Sequence, residues 1–233
     1  MSRGAAAVAV GLVVLMSGCS SGDGTADAVQ PEDLQPLMLA ESDFPAGSQY
    51  YPVPDPAAYG RQLADAISNT TFEPADCAQP REEQARIETV APQAAANAQT
   101  TTGDIYVTAV STGESQTPAL VERMFFGPCS TAVTTRTVDG TPVDSTAMDT
   151  TRLDPPSDLA ADEVIVYRQR AEVRSLIPGD TSSPATTLRI VGHAWVGPYR
   201  VMLEQTPSDT NTSPRAERDE FDALLRAAVA KLD

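Results

Sequence analysis

The stretch TTLRIVGHAWVGPYRVMLEQ (residues 186–205) decides the fold. Thr186 to Val196 is rich in β-branched and apolar residues. Gly197-Pro198 interrupts it, and Tyr199 to Gln205 resumes the same character. Two such runs around a Gly-Pro pair predict neighbouring strands. Side chains alternate along a strand, so His193 and Trp195 share one side and Ala194 takes the other.

The β pattern extends upstream. Asp139-Gly140 is a tight-turn pair between a strand over 132–138 and a partner over 141–153. Residues 163–176 form a long strand with Val164, Val166, Arg168 and Arg170 on one side. Ile165, Tyr167, Gln169, Ala171 and Val173 mix across its two sides, which predicts a register shift through a bulge. Asp104 to Ser111 also reads as a strand. Residues 93–102, rich in Ala, Gln and Thr, are ambiguous between strand and helix. Residues 86–91 alternate, with Ile87 and Val90 inward, and 72–77 read as a loop.

Helices carry clear start signals. Asp55-Pro56 opens one that runs to about Ser68, with Tyr59, Leu63 and Ile67 on one face. Thr117-Pro118 opens another, whose buried face is Leu120, Val121, Met124 and Phe125, ended by Gly127-Pro128. Ser213-Pro214 opens the last, where Phe221, Leu224, Leu225, Ala228, Val229 and Leu232 recur at helical spacing. A short helix is expected within 31–40, around Leu34 and Leu37. The expected class is α+β: an antiparallel sheet of about six strands with helices packed on one face and a single disulfide. Residues 31–233 are read as one globular domain.

The N-terminus gives an address. Arg3 precedes an apolar run from Ala5 to Met16, too short to span a bilayer. Ser17-Gly18-Cys19 follows. This resembles the bacterial lipobox, with Met16 where leucine is usual and Leu15 one place early. The resemblance implies that residues 1–18 are a signal peptide and that Cys19 is lipidated after cleavage. Residues 19–30, without large apolar side chains, then form a tether. The partner so implied is the membrane, and the location is the outer face of the cytoplasmic membrane, in the cell envelope.

A formal charge of −16 argues against nucleic acid, which needs a basic face, and a single histidine excludes a histidine-rich metal cage. Cys77 and Cys129 remain as an even pair in an oxidising compartment, and a bridge between them is expected to contribute about 4 kcal/mol. A nucleophilic cysteine working with His193 is disfavoured there. No Gly-x-Ser-x-Gly, His-Glu-x-x-His, phosphate-loop or dinucleotide motif occurs. Asp139, Asp144 and Asp149 lack the alternate-residue spacing of a calcium loop. No cofactor and no metal are expected. Carboxylate chemistry needs no local motif and stays open.

A wider resemblance rests on short segments: Cys19, Leu37-Met38-Leu39-Ala40, Asp43-Phe44-Pro45-Ala46-Gly47, Pro74-Ala75-Asp76-Cys77, and Cys129 after a helix. In these the chain resembles small actinobacterial lipoproteins. It is also similar to the extracellular sensor domain of mycobacterial receptor serine/threonine kinases, a family that usually carries four cysteines where this chain offers two. The resemblance carries no catalytic residue, and the first expectation is a non-enzymatic, envelope-facing binding or sensor-like lipoprotein. Its partner would be a small-molecule or lipid ligand, or an envelope protein, held against one sheet face. His193, Trp195 and Tyr199 are the candidate ligand-binding residues, against the plainer reading of a core histidine and a core tryptophan. Two alternatives stand beside it: a structural or accessory interaction protein, and an envelope hydrolase using carboxylates or His193.

Overall fold

The computed structural model describes residues 30–113, 115–208 and 214–232. Cys19, the signal segment and nearly all of the tether lie outside the described residues, as does Ser213. Among the described residues are nine strands and five α-helices. In chain order they are α1 (Pro31–Leu34), β1 (Gln49–Pro52), α2 (Pro56–Ser68), β2 (Thr70–Glu73), α3 (Ala78–Val90), β3 (Gln93–Gln99), β4 (Ile105–Thr112), α4 (Pro118–Phe125), β5 (Val133–Val138), β6 (Thr141–Leu153), β7 (Glu163–Ser175), β8 (Ala185–Val196), β9 (Tyr199–Thr206) and α5 (Pro214–Ala230). The strands form one antiparallel sheet in the order β1-β3-β4-β9-β8-β7-β6-β5-β2.

The sheet therefore has nine strands where about six were expected. The additions are two four-residue edge strands and β3, the ambiguous stretch. Helices also cover both faces, not one. On one face, Phe221, Leu224, Leu225, Ala228 and Val229 of α5 pack with Leu34, Met38, Leu39 and Phe44. They meet the small or apolar floor of Ala94, Ala96, Ala98, Val110, Val166, Ile190, Ala194, Val201 and Leu203. Gly192 lies beneath α5, where a Cβ would come within 3.0 Å of the Phe221 ring. The other face holds a smaller cluster: Ile87 and Ala91 from α3 and its end, Leu120, Val121, Met124 and Phe125 from α4, and Ile165, Tyr167 and Val191 from the sheet. Two covered faces follow from the alternation of β7 and β8, which offer buried side chains on both sides.

Local chemistry explains the helix starts. Asp55 accepts from Ala58 N at 3.1 Å and Thr117 Oγ1 from Leu120 N at 3.2 Å, each followed by proline at the first helical position. Residues 86–91 are not an alternating segment but the end of α3, and Val90 is exposed. In α2 the inward residues are Gly60 and Ile67, while Tyr59 faces outward. Gly60 is needed because α2 and α3 cross backbone to backbone: a Cβ there would lie 2.5 Å from Glu88 C and Thr89 N. This close approach fixes where Glu88 sits. β7 keeps one register along β6 and β8, so the expected bulge is absent; the register shift lies in β5, between Arg136 and Thr137. The tight turn at Asp139-Gly140 has positive φ at both residues (50° and 76°), as a two-residue hairpin requires.

Cys77 and Cys129 form a disulfide with a Cα–Cα distance of 5.7 Å. Cys77 ends the 3-10 turn leading into α3, and Cys129 lies in the turn after α4. The bridge ties together two helices that roof the same sheet face. No helix among the described residues is long and apolar enough to cross a membrane.

Candidate functional site

The face roofed by α3 and α4 carries a buried polar row. The Gly197-Pro198 turn pairs Val196 with Tyr199, Trp195 with Arg200 and His193 with Met202. Cross-strand partners share a face, so Arg200 joins His193 and Trp195. Tyr199 falls with Val196 on the α5 face, packed against the larger core. The structure thus brings His193 and Trp195 together, with ring centroids 5.9 Å apart, and separates Tyr199 from them.

Arg200 is buried and lies 3.6 Å from the Glu88 carboxylate of α3. Gln116 donates to the same carboxylate through Nε2, and Gln93 Nε2 donates to the Glu88 carbonyl at 2.7 Å. Trp195 Nε1 donates to the Gln116 carbonyl at 2.9 Å. Arg200 Nη2 lies 3.3 Å from His193 Nδ1. An arginine can only donate, so Nδ1 is the acceptor and the ring proton sits on Nε2. That Nε2 has no partner among the described residues; neither do Arg200 Nε, Gln116 Oε1 and Ser111 Oγ on the same face. Burial, and then the positive charges of Arg200 and Arg189, push the His193 pKa well below 6.5. Burial lowers the Arg200 pKa, with Glu88 opposing.

A prediction follows from the histidine. Its folded pKa is depressed, so between neutral pH and about pH 5 the unfolded chain takes up a proton that the folded chain refuses. Stability should therefore decline as pH falls below 6.5, by at most about 1.4 kcal/mol per pH unit from this group. Urea midpoints measured across that window check it: His193→Asn should flatten the slope, and an unchanged slope would show that His193 is not its source.

Further along the same face is a second group. Arg189 pairs with Glu204 at 3.0 Å, and its Nε donates to Gln169 Oε1 at 3.0 Å; Gln169 Nε2 in turn donates to Thr150 Oγ1 at 3.0 Å. Burial works against the Arg189 charge, but Glu204 is the strongest of the groups that leave its pKa raised. Tyr167 lies between His193, at 5.9 Å, and Phe125, at 4.5 Å between ring centroids. Arg81 of α3 stands over the Phe125 ring, 4.2 Å from its centroid. The surface also has a groove of about 430 Å3 between α2 and α3, lined by Ile67, Ala85, Arg86 and Val90 among others; it shares no lining residue with the polar row. No group of metal-ligating side chains occurs among the described residues.

Arg200, Glu88, Gln116, Arg189 and Arg81 were not among the residues singled out in the sequence. Arg200 was within reach: with a two-residue turn at Gly197-Pro198, the hairpin register alone puts it opposite Trp195. Glu88 was not, because α3 was not recognised as a helix.

No protein-family model matches the chain, and no curated protein does. Among solved structures, an uncharacterized protein from Mycobacterium smegmatis is similar over 82% of this chain and 91% of its own, with 17% sequence identity and a TM-score of 0.45. It assigns no activity.

Proposed function

We propose that the chain is a lipid-anchored, extracytoplasmic binding protein of a sensor-like kind, with no catalytic activity. The lipobox around Cys19 supports the anchor, and the segments at 37–47 and 74–77 support the sensor-like part. The binding role is carried by one observation: four buried polar atoms on one sheet face, Ser111 Oγ, Gln116 Oε1, His193 Nε2 and Arg200 Nε, without partners among the described residues. Each such atom costs about 1–3 kcal/mol when left unsatisfied. The floor beneath α5 is largely apolar and holds two such atoms, Thr108 Oγ1 and Gln205 Oε1, against four here. The absence of catalysis is supported by how the polar groups are engaged. The acceptor nitrogen of His193 faces Arg200, and the Glu88 carboxylate faces Arg200 and Gln116, so neither is free to act as a base.

Native mass spectrometry of the mature chain drawn from the membrane fraction tests this reading. The expected result is a diacylglyceryl mass on Cys19, absent from Cys19→Ala, together with a co-purified ligand adduct. A bare protein mass that no envelope extract changes would turn the reading toward a structural or accessory protein. An envelope hydrolase activity lost in a folded His193→Ala variant would overturn the non-catalytic part.

A further inference from the structure

We propose that Thr181 and Ser183, in the loop joining β7 to β8, are sites of O-linked glycosylation. Each hydroxyl accepts a sugar from a phosphate-activated donor, in a reaction run by a separate glycosyltransferase. The inference rests on the extracytoplasmic location proposed above and is independent of the ligand-binding role.

The first support is the sequence of the loop and its freedom. Residues 178–187 read PGDTSSPATT, with five hydroxyl side chains around Pro184. Serine- and threonine-rich runs broken by proline are the composition of O-glycosylated segments. Every residue from 176 to 187 is exposed, and 181–184 lie outside any strand ladder. A transferase can therefore take this backbone into its cleft without unpairing a strand. Ser182 is engaged: its amide donates to Asp180 Oδ1 at 2.9 Å, and its hydroxyl bonds the same carboxylate. The Thr181 and Ser183 hydroxyls have no partner among the described residues. Thr102, exposed in the β3–β4 turn, shows the contrast, because its hydroxyl donates to Asp104 at 2.8 Å.

The second support is where the loop stands. The β8–β9 ladder begins at Ile190, opposite Gln205, so residues 185–189 of β8 run on past the end of β9. The β7–β8 hairpin thus projects beyond the middle of the sheet. Successive residues at its tip are exposed, so neither helical layer covers it. Leu176 is 42% and Ile177 54% exposed there. Two adjacent aliphatic side chains on a projecting turn favour self-association. A sugar a few residues away is bulky and hydrated, and screens them.

In the transfer, the hydroxyl oxygen bonds to the anomeric carbon of the sugar while the bond from that carbon to the donor's phosphate oxygen breaks. The phosphate leaves with the electron pair. The hydroxyl proton passes through a base of the transferase to the released phosphate, and nothing is oxidised or reduced.

The test uses the full chain from the membrane fraction of its own organism, digested with trypsin. Cleavage after Arg174 and Arg189 isolates the loop as residues 175–189, and cleavage after Arg136 and Arg152 gives residues 137–152 as a control. Each peptide carries six hydroxyl side chains, but those of the control lie in the β5–β6 hairpin. Mass spectrometry with electron-transfer fragmentation is expected to find most of the loop peptide heavier by whole sugar residues, placed on Thr181 or Ser183, and the control bare. Thr181→Ala combined with Ser183→Ala should lose the increment and keep the urea midpoint, because both side chains are exposed. A bare loop peptide overturns the proposal. So does a phosphoryl group in place of sugar, an increment that survives in the double variant, or equal modification of the control. The acyl mass on Cys19 separates the two readings. With it present, a bare loop sinks the glycosylation alone; with it absent, a bare loop sinks the location as well.

Discussion

Replacing Arg200 with methionine is expected to lower the free energy of unfolding by about 3–5 kcal/mol. The change keeps most of the volume and removes the guanidinium. It leaves the Glu88 carboxylate buried beneath α3 with Gln116 as its remaining side-chain partner, and it takes the donor away from His193 Nδ1. Most of the cost is the stranded carboxylate rather than the lost attraction, because buried pairs gain little over apolar isosteres. The double variant Glu88→Gln, Arg200→Met should therefore recover more than half of the loss. Urea denaturation of the two single variants and the double gives the coupling directly. A single Arg200→Met cost below about 1 kcal/mol would mean that water reaches this pair and that the face is not dry.

The second large effect concerns the bridge. Cys77→Ala with Cys129→Ala should cost about 3–4 kcal/mol, since the cross-link closes a span of 52 residues in the unfolded chain. The structure adds a local expectation. The bridge joins the start of α3 to the end of α4, and those helices cover Glu88, Arg200, His193 and Trp195. Loosening them should expose the polar row before the opposite core opens. Hydrogen exchange at the Trp195 indole N–H, which donates to Gln116, should accelerate more than exchange in β8 amides. A loss in stability with no selective change at Trp195 would show that the two faces open as one unit.

Much of this architecture could be read from residues alone. The β5–β6 and β8–β9 hairpins follow from Asp139-Gly140 and Gly197-Pro198, and α4 and α5 follow from their prolines and apolar spacing. The bridge follows from cysteine arithmetic. What escaped did so for identifiable reasons. β3, Gln-Ala-Ala-Ala-Asn-Ala-Gln over 93–99, has a helix-former composition; it is a strand because Ala94, Ala96 and Ala98 form a flat floor on which larger side chains settle. α3 begins with Pro80 in its first turn and then carries Arg81, Glu82, Glu83 and Gln84, so few apolar positions mark its inner side. Tyr199 was assigned to the His193 side because the hairpin pairing, which sets its face through Val196, was not carried across the turn. The polar row was invisible because it is assembled from α3, the approach to α4, β8 and β9, and no single segment announces it.

The sheet's borders have a consequence for crowding. Each outermost strand, Gln49–Pro52 and Thr70–Glu73, is four residues long. Pro52 closes one, and Pro74 follows the other. A broad sheet that ended in long open strands would offer a ready seam for stitching to a neighbouring copy. Here each border presents few unpaired amides before a proline ends the run. Molecules held side by side at high density on a surface could then collide through their edges without zipping together.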